Sequence, residues 1–216
     1  MTSIDAITLE VADLAAAERF YANAFALDSR LRLRAGQESS TGFRGYTLSL
    51  TVAQPADVNS LIGAAVEAGA TVLKPAAKSI WGYGGVVQAP DGAIWKVATS
   101  AKKDTGPATG LIDDVVLLLG VADVAASKRY YLDQGFSVAK SFGRMYVEFA
   151  SPGSVKLALY RRRALAKDAG VAPEGTGSHR IVVSGATEPF TDPDGFVWEA
   201  LPTANQSGQP SREFSA

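Results

Sequence analysis

Ile7-Thr8-Leu9-Glu10-Val11-Ala12-Asp13-Leu14, followed by Phe20-Tyr21, returns 110 residues later as Leu117-Leu118-Leu119-Gly120-Val121-Ala122-Asp123-Val124, followed by Tyr130-Tyr131. In both copies the aromatic pair lies seven and eight residues after the Asp. A second match joins Pro90-Asp91-Gly92-Ala93-Ile94-Trp95 to Pro193-Asp194-Gly195-Phe196-Val197-Trp198, offset by 103. Two offsets in one order mean a tandem duplication with unequal deletions. Each copy opens with an apolar, β-branched run, Ile4 to Val11 and Asp114 to Val121, that reads as a strand. Asp13 and Asp123 then stand where a helix N-cap belongs. Leu14, Ala17, Phe20, Tyr21, Ala24 and Phe25 follow at helical spacing; Val124, Ser127, Tyr130 and Tyr131 repeat it, and Gly135 ends the second helix.

The remaining segments follow from turn chemistry and periodicity. Leu27, Leu31 and Leu33 alternate with Arg30, Arg32 and Arg34, a strand with one buried and one basic face. Tyr46 to Val52 is a strand, and Pro55 opens a helix that Gly69 ends. Ala89-Pro90-Asp91-Gly92 turns a hairpin, and residues 101–111 form a linker. Strands near Ser137–Phe142, Met145–Ala150 and Val155–Tyr160 precede a short basic helix from Arg161 to Gly170. His179 to Ser184 and Phe196 to Leu201 are the last strands; the Ser/Gln/Pro-rich end reads as a disordered tail.

Composition excludes several function classes. Of 216 residues 47% are hydrophobic and 20% charged, enough apolar surface for a core. The net charge of -1 argues against nucleic acid as a partner. With no Cys there is no disulfide, thiol nucleophile or iron–sulfur cluster, and a single His excludes sites needing two. The start Met1-Thr2-Ser3-Ile4-Asp5 carries no signal-like pattern and no run approaches membrane length, so the expectation is a cytoplasmic protein with no membrane partner. The glycines match neither a phosphate loop nor a dinucleotide fingerprint.

These motifs in this order resemble the vicinal-oxygen-chelate superfamily, which includes glyoxalase I, bleomycin-resistance proteins and extradiol dioxygenases. The resemblance covers about residues 3–100 and 111–201. It implies an α+β fold of tandem βαβββ modules in curled mixed sheets, pairs of which form cups. The expected division is a first domain at 1–100 with a shortened first module, a linker at 101–111, a second domain at 112–202, and a tail at 203–216. The first half-domain is expected to lack a strand. The last module is expected to lack its helix, because Ser184 to Phe196 leaves no room for one. Whether modules pair within or across the repeats stays open, as does a monomeric pseudo-dimer against a homodimer.

The resemblance also implies where a metal would sit. The first-strand ligand positions fall on Ala6 and Val116, the fifth-strand positions on Tyr46 or Thr47 and on His179, and the last-strand positions on Lys96 and Glu199. Repeat one therefore lacks metal ligands. Lys96 is either a strand residue paired with a carboxylate or an anion-binding Lys at the cup floor. Repeat two keeps His179 and Glu199, and Asp114 has the right parity on its strand, though too early. Together the three would suit Fe, Mn, Ni or Zn, with Glu199 also taking a proton from substrate. Against this, His179 and Glu199 form a hydrogen-bonded pair, or His179 is satisfied at a strand start.

Ser79-Ile80-Trp81-Gly82-Tyr83-Gly84-Gly85 sets a Trp and a Tyr among glycines, a close-approach loop at a cup rim or a plain glycine-rich turn. Trp81, Tyr83, Tyr46 and Lys96 are the candidate ligand-binding residues. Arg161-Arg162-Arg163 reads as a solvated face, with anion binding as the alternative. Three functions stand: a cofactor-free glyoxalase/bleomycin-resistance-like protein that binds a small organic molecule in an apolar cup; a metal-dependent lyase, isomerase or dioxygenase using His179 and Glu199; and an interaction protein with eroded cups. Whether the chain is an enzyme stays open.

Overall fold

A computed structural model describes residues 2–200 apart from 27, 154 and 187. The expected tail at 203–216 and the end of the last strand at Leu201 lie outside these residues. In chain order the elements are β1 (Ala6–Val11), α1 (Leu14–Ala24), β2 (Leu31–Ala35), β3 (Ser40–Gly42), β4 (Tyr46–Thr51), α2 (Pro55–Glu67), β5 (Thr71–Ser79), β6 (Gly82–Gln88) and β7 (Ile94–Thr99). There follow β8 (Asp114–Val121), α3 (Val124–Asp133), β9 (Ser137–Phe142), β10 (Tyr146–Ala150), β11 (Val155–Arg161), α4 (Arg162–Ala169), β12 (Gly175–Gly177), β13 (Ile181–Ala186), β14 (Phe190–Thr191) and β15 (Val197–Ala200).

The repeated Asp is the helix cap that its position implies. Asp13 accepts from Ala16 N at 2.9 Å, and Asp123 accepts from Ala125 N at 2.8 Å and Ala126 N at 3.2 Å. Each satisfies an orphan donor of the first helical turn. Gly135, at φ 86, ends the α3 turn as expected.

Two modules are complete. In β4-α2-β5-β6-β7 the first strand lies parallel to the last, β6 pairs antiparallel with β7, and β5 with β6. The module β8-α3-β9-β10-β11 repeats this plan. The two join where β4 meets β8 antiparallel, from Tyr46↔Leu119 to Thr51↔Asp114, giving eight strands in the order β5-β6-β7-β4-β8-β11-β10-β9.

The chain's two ends build a reduced copy. Here β1 runs parallel to β2, β13 parallel to β15, and β1 meets β13 antiparallel, in the order β14-β15-β13-β1-β2. Modules therefore pair across the repeats. Among the described residues the first repeat has seven strands, one short of two complete modules. By pairing it is two short, because β3 leaves the sheet for a two-stranded ribbon with β12. Among the described residues the last module has no helix between β13 and β14.

The main core lies on one face of each sheet, with Leu9 of β1, Leu48 of β4, Leu117 of β8 and both Trp95 and Trp198 buried in it. The repeated aromatics join the sheets. Tyr21 of α1 donates to Asp91 Oδ2 at 2.7 Å, and Trp95 Nε1 donates to the Tyr21 hydroxyl at 3.3 Å. Tyr131 of α3 donates to Asp192 Oδ2 at 2.6 Å, and Trp198 Nε1 to the Tyr131 hydroxyl at 3.2 Å.

A second, smaller core lies on the opposite face of the eight-stranded sheet. Leu165, Ala166 and Ala169 of α4 pack there with Phe43, Val86 and Ile94. Alternation along the strands separates the faces: Leu117 and Leu119 point to the main core, Leu118 to α4. α4 thus covers part of the face that the resemblance makes a cup.

The linker is fastened. Gln54 Oε1 accepts from Thr105 N, Thr105 Oγ1 and Gly106 N at 2.7, 3.0 and 3.1 Å. Asp57 Oδ1 accepts from Thr109 N, Thr109 Oγ1 and Gly110 N at 2.6, 3.0 and 3.2 Å. It is a strap across the first turn of α2.

Candidate functional site

Register places Lys96 beside Val86, so both side chains share the face that α4 covers. The pairing of β5 with β6 slips between Val72 and Lys74 and again between Lys74 and Ala77. Such bulges bend a strand and raise its twist. Between this bent strand, the glycines of β6 and the end of α4 lies a groove of about 320 Å³. Its walls include Lys74, Lys78, Trp81, Gly84, Lys96 and Asp168. Trp81 stands at the β5–β6 tip, 83% exposed. Gly82, at φ 135, leaves the backbone bare, and a Cβ there would collide with the Thr99 carbonyl oxygen.

Two lysines reach from the groove to α4. Lys96 Nζ lies 2.7 Å from Asp168 Oδ2, and Lys74 Nζ donates to the Lys167 carbonyl at 2.7 Å. The second contact sets a cation at a helix C-terminus, the favourable end for it. For Lys78 no hydrogen bond or ion pair occurs among the described residues.

The four candidate ligand residues separate. Trp81 and Lys96 face the groove. Tyr83 borders it, but its side chain packs against the main core and its hydroxyl donates to Asn59 Oδ1 of α2 at 2.9 Å. Tyr46 is not a groove residue: it is 2% exposed in the main core. Its hydroxyl has no partner among the described residues, and burial pushes its pKa far above the ordinary phenol value.

The three candidate metal ligands also separate: Asp114 lies on the other sheet, and His179 and Glu199, though both at one sheet, are each held by different partners. Asp114 is on β8 of the eight-stranded sheet, 2.7 Å from Lys156 Nζ and 3.3 Å from the Thr51 hydroxyl. Glu199 is on β15 of the five-stranded sheet, where Arg34 donates to it at 3.0 Å and to Glu10 at 2.8 Å. One guanidinium thus bridges the carboxylates of β1 and β15, and both bonds raise the Arg34 pKa further. His179 precedes β13. Its Nδ1 meets the Arg44 carbonyl at 2.5 Å, its Nε2 the Asp194 carbonyl at 3.1 Å, and its ring stacks on Phe196 at 4.0 Å.

These residues do not fit a divalent cation. Carbonyl oxygens only accept, so neither His179 nitrogen has a lone pair turned to open space. A positive charge already sits between Glu10 and Glu199. Among the described residues no three His, Asp or Glu side chains gather as a metal site. The expected His179–Glu199 pair does not form; His179 is satisfied at a strand start, the other reading.

Three features escaped the sequence reading. Arg34 between two carboxylates had a signal in the Arg30, Arg32, Arg34 alternation. The α4 cover had one in the spacing of Leu165, Ala166 and Ala169. Arg162 was expected on a solvated face, yet it turns inward, donating to Phe43 O at 2.7 Å and Pro173 O at 3.1 Å over the Phe43 ring. Arg161 and Arg163 are exposed.

No protein-family model matches the chain, and no curated protein matches it in sequence. In structure it is similar to glyoxalase I from Zea mays, at 13% identity and a TM-score of 0.61, over 93% of this chain and 92% of that one. It is also similar to a putative dioxygenase from Bacillus subtilis, at 10% identity and a TM-score of 0.57, over 92% of this chain and 84% of that one. Both matches extend over more than nine-tenths of this chain, so it has the fold of glyoxalase I and of that dioxygenase.

Proposed function

We propose that this protein is a metal-independent, glyoxalase/bleomycin-resistance-like binder of a small organic molecule, and that its site is the groove between the β5–β6 tip and α4. The observation that carries the reading is the convergence of Trp81 and Lys96 on one concavity of about 320 Å³. That volume lies in the range of small-molecule pockets, about 300–1,000 Å³. The site sits beside the apolar floor of the cup, because α4 occupies that floor.

Binding is favoured over catalysis by the same residues. The carboxylate of the groove wall, Asp168, is paired with Lys96, and Glu199 is held by Arg34 on another sheet. Neither is placed to take a proton in the groove. A fold hosts many functions, so the glyoxalase and dioxygenase names of the structural neighbours fix no reaction here. The chain makes both inter-module seams by itself, which supports a monomer acting as its own pseudo-dimer. No helix among the described residues is long and apolar enough to cross a membrane.

Tryptophan emission tests this directly. Trp95 and Trp198 are fully buried, so a ligand-induced emission change reports Trp81. A small-molecule panel should yield ligands that shift the emission with chelator present, and Trp81→Phe should abolish the shift. If none does so, or if the protein as isolated carries stoichiometric metal that His179→Ala removes, the reading fails.

A further inference from the structure

Resting on the groove as the binding site, we infer that its ligand is a planar aromatic carboxylate, and that Asp168 stands in for the ligand's carboxylate when the groove is free. The charge of the walls points this way. Lys74 and Lys96 line the groove against Asp168 alone, a local positive excess in a chain whose net charge is -1. Lys96 already demonstrates the interaction, holding a carboxylate at 2.7 Å.

The Asp168 carboxylate is exchangeable. Side-chain exposures of 36% for Lys96 and 42% for Asp168 put the pair in contact with water. Ion pairs so exposed add little stability, because water competes for both charges. An incoming carboxylate can therefore replace Asp168 on Lys96 while the rest of the ligand lies against Trp81. Asp168 then passes to solvent, at the end of a helix that Lys74 still holds through the Lys167 carbonyl.

Shape selects the rest of the ligand. The exposed Trp81 ring offers a flat apolar face at one end of the groove. An aliphatic anion would use the lysines and waste the indole; a neutral arene would do the reverse.

Calorimetric titration of the full chain with 2-naphthoate and with its uncharged isostere 2-naphthamide tests the inference. A charge-assisted contact predicts that naphthoate binds about tenfold tighter or more. Lys96→Met should remove this preference by weakening naphthoate, whereas Lys96→Arg should retain it. Asp168→Asn, which removes the internal competitor, should tighten naphthoate and not the amide. Equal affinity for both probes overturns the carboxylate inference while the groove remains a binding site. Naphthoate weakened by Asp168→Asn also overturns it. Binding of neither probe, to wild type or Asp168→Asn, overturns the inference and counts against the groove.

Discussion

The Tyr131 hydroxyl lies 2.6 Å from Asp192 Oδ2, and this bond ties a helix of the eight-stranded sheet to the last hairpin of the five-stranded sheet. Tyr131 is fully buried and Asp192 is 4% exposed. Tyr131→Phe would leave the carboxylate short of a donor and the Trp198 indole N–H without its acceptor. Such orphaned groups cost about 1–3 kcal/mol each. The first repeat makes the same bond between Tyr21 and Asp91, but Asp91 is only half-buried. Chemical denaturation should therefore show Tyr131→Phe as the more damaging of the two replacements. Equal midpoints for the two variants would contradict this.

The same carboxyl sets a pH dependence. Burial raises the Asp192 pKa above its ordinary value, with the Tyr131 hydroxyl and the Phe196 N–H acting against that and Asp194 adding to it. A raised folded-state pKa means that the folded chain keeps a proton which the unfolded chain has lost. The contribution is complete below the unfolded value of about 3.9 and is lost as pH rises through the folded one. Asp123 has the opposite sign, because the Ala126 and Ala125 N–H groups lower its pKa; its contribution is lost as pH falls. Denaturation midpoints across the acid range should decline with rising pH less in Asp192→Asn than in wild type. Parallel profiles would remove Asp192 as the source.

The matching motifs made most of the fold legible in the sequence. Repeats constrain each other: Asp13 and Asp123 cap helices, Tyr21 and Tyr131 make matching bonds, and Trp95 and Trp198 fill matching core positions. Even so, the two Pro-Asp-Gly motifs are not used alike. Asp91 of the first motif receives Tyr21, but in the second Tyr131 binds Asp192, two residues before the matching Asp194. Asp194 instead accepts from Ala122 N at 2.7 Å and the Ser127 hydroxyl at 2.9 Å. The site was less legible because it depends on which modules pair. Asp114 and Glu199 share a repeat, and pairing across repeats sends them to different sheets. Trp81 and Lys96 belong to one complete module, and local register suffices to bring them to one groove.

The linker strap gives a local prediction. Asp57 is fully buried at the first turn of α2, and its Oδ1 holds three donors from residues 109 and 110. Burial raises its pKa, but the bonds from Thr109, Gly110 and Gln54 outweigh burial and lower it overall. Asp57→Ala removes them all, at a cost of about 1–3 kcal/mol. Hydrogen exchange should show the Thr109 and Gly110 amides losing protection, with the Leu117 and Leu119 amides of β8 protected as before. Unchanged protection at 109 and 110 would show that the strap is held elsewhere.

Helix α4 should open more readily than the other three helices. Its core is separate from the main one and small, centred on Leu165 at 0% exposure. Its N-terminus has no side-chain cap, and Arg162 holds that end through two carbonyl bonds. Leu165→Ala would remove about 2–5 kcal/mol of packing, a typical cost for a buried Leu. Because few other contacts retain α4, the loss should appear as local opening. Amide exchange across Arg162–Ala169 should accelerate at denaturant concentrations where Trp95 and Trp198 emission still reports a folded core. Coincident loss of both signals would mean that α4 folds as one unit with the sheets, and that Asp168 leaves Lys96 only when the whole protein unfolds or a ligand takes its place.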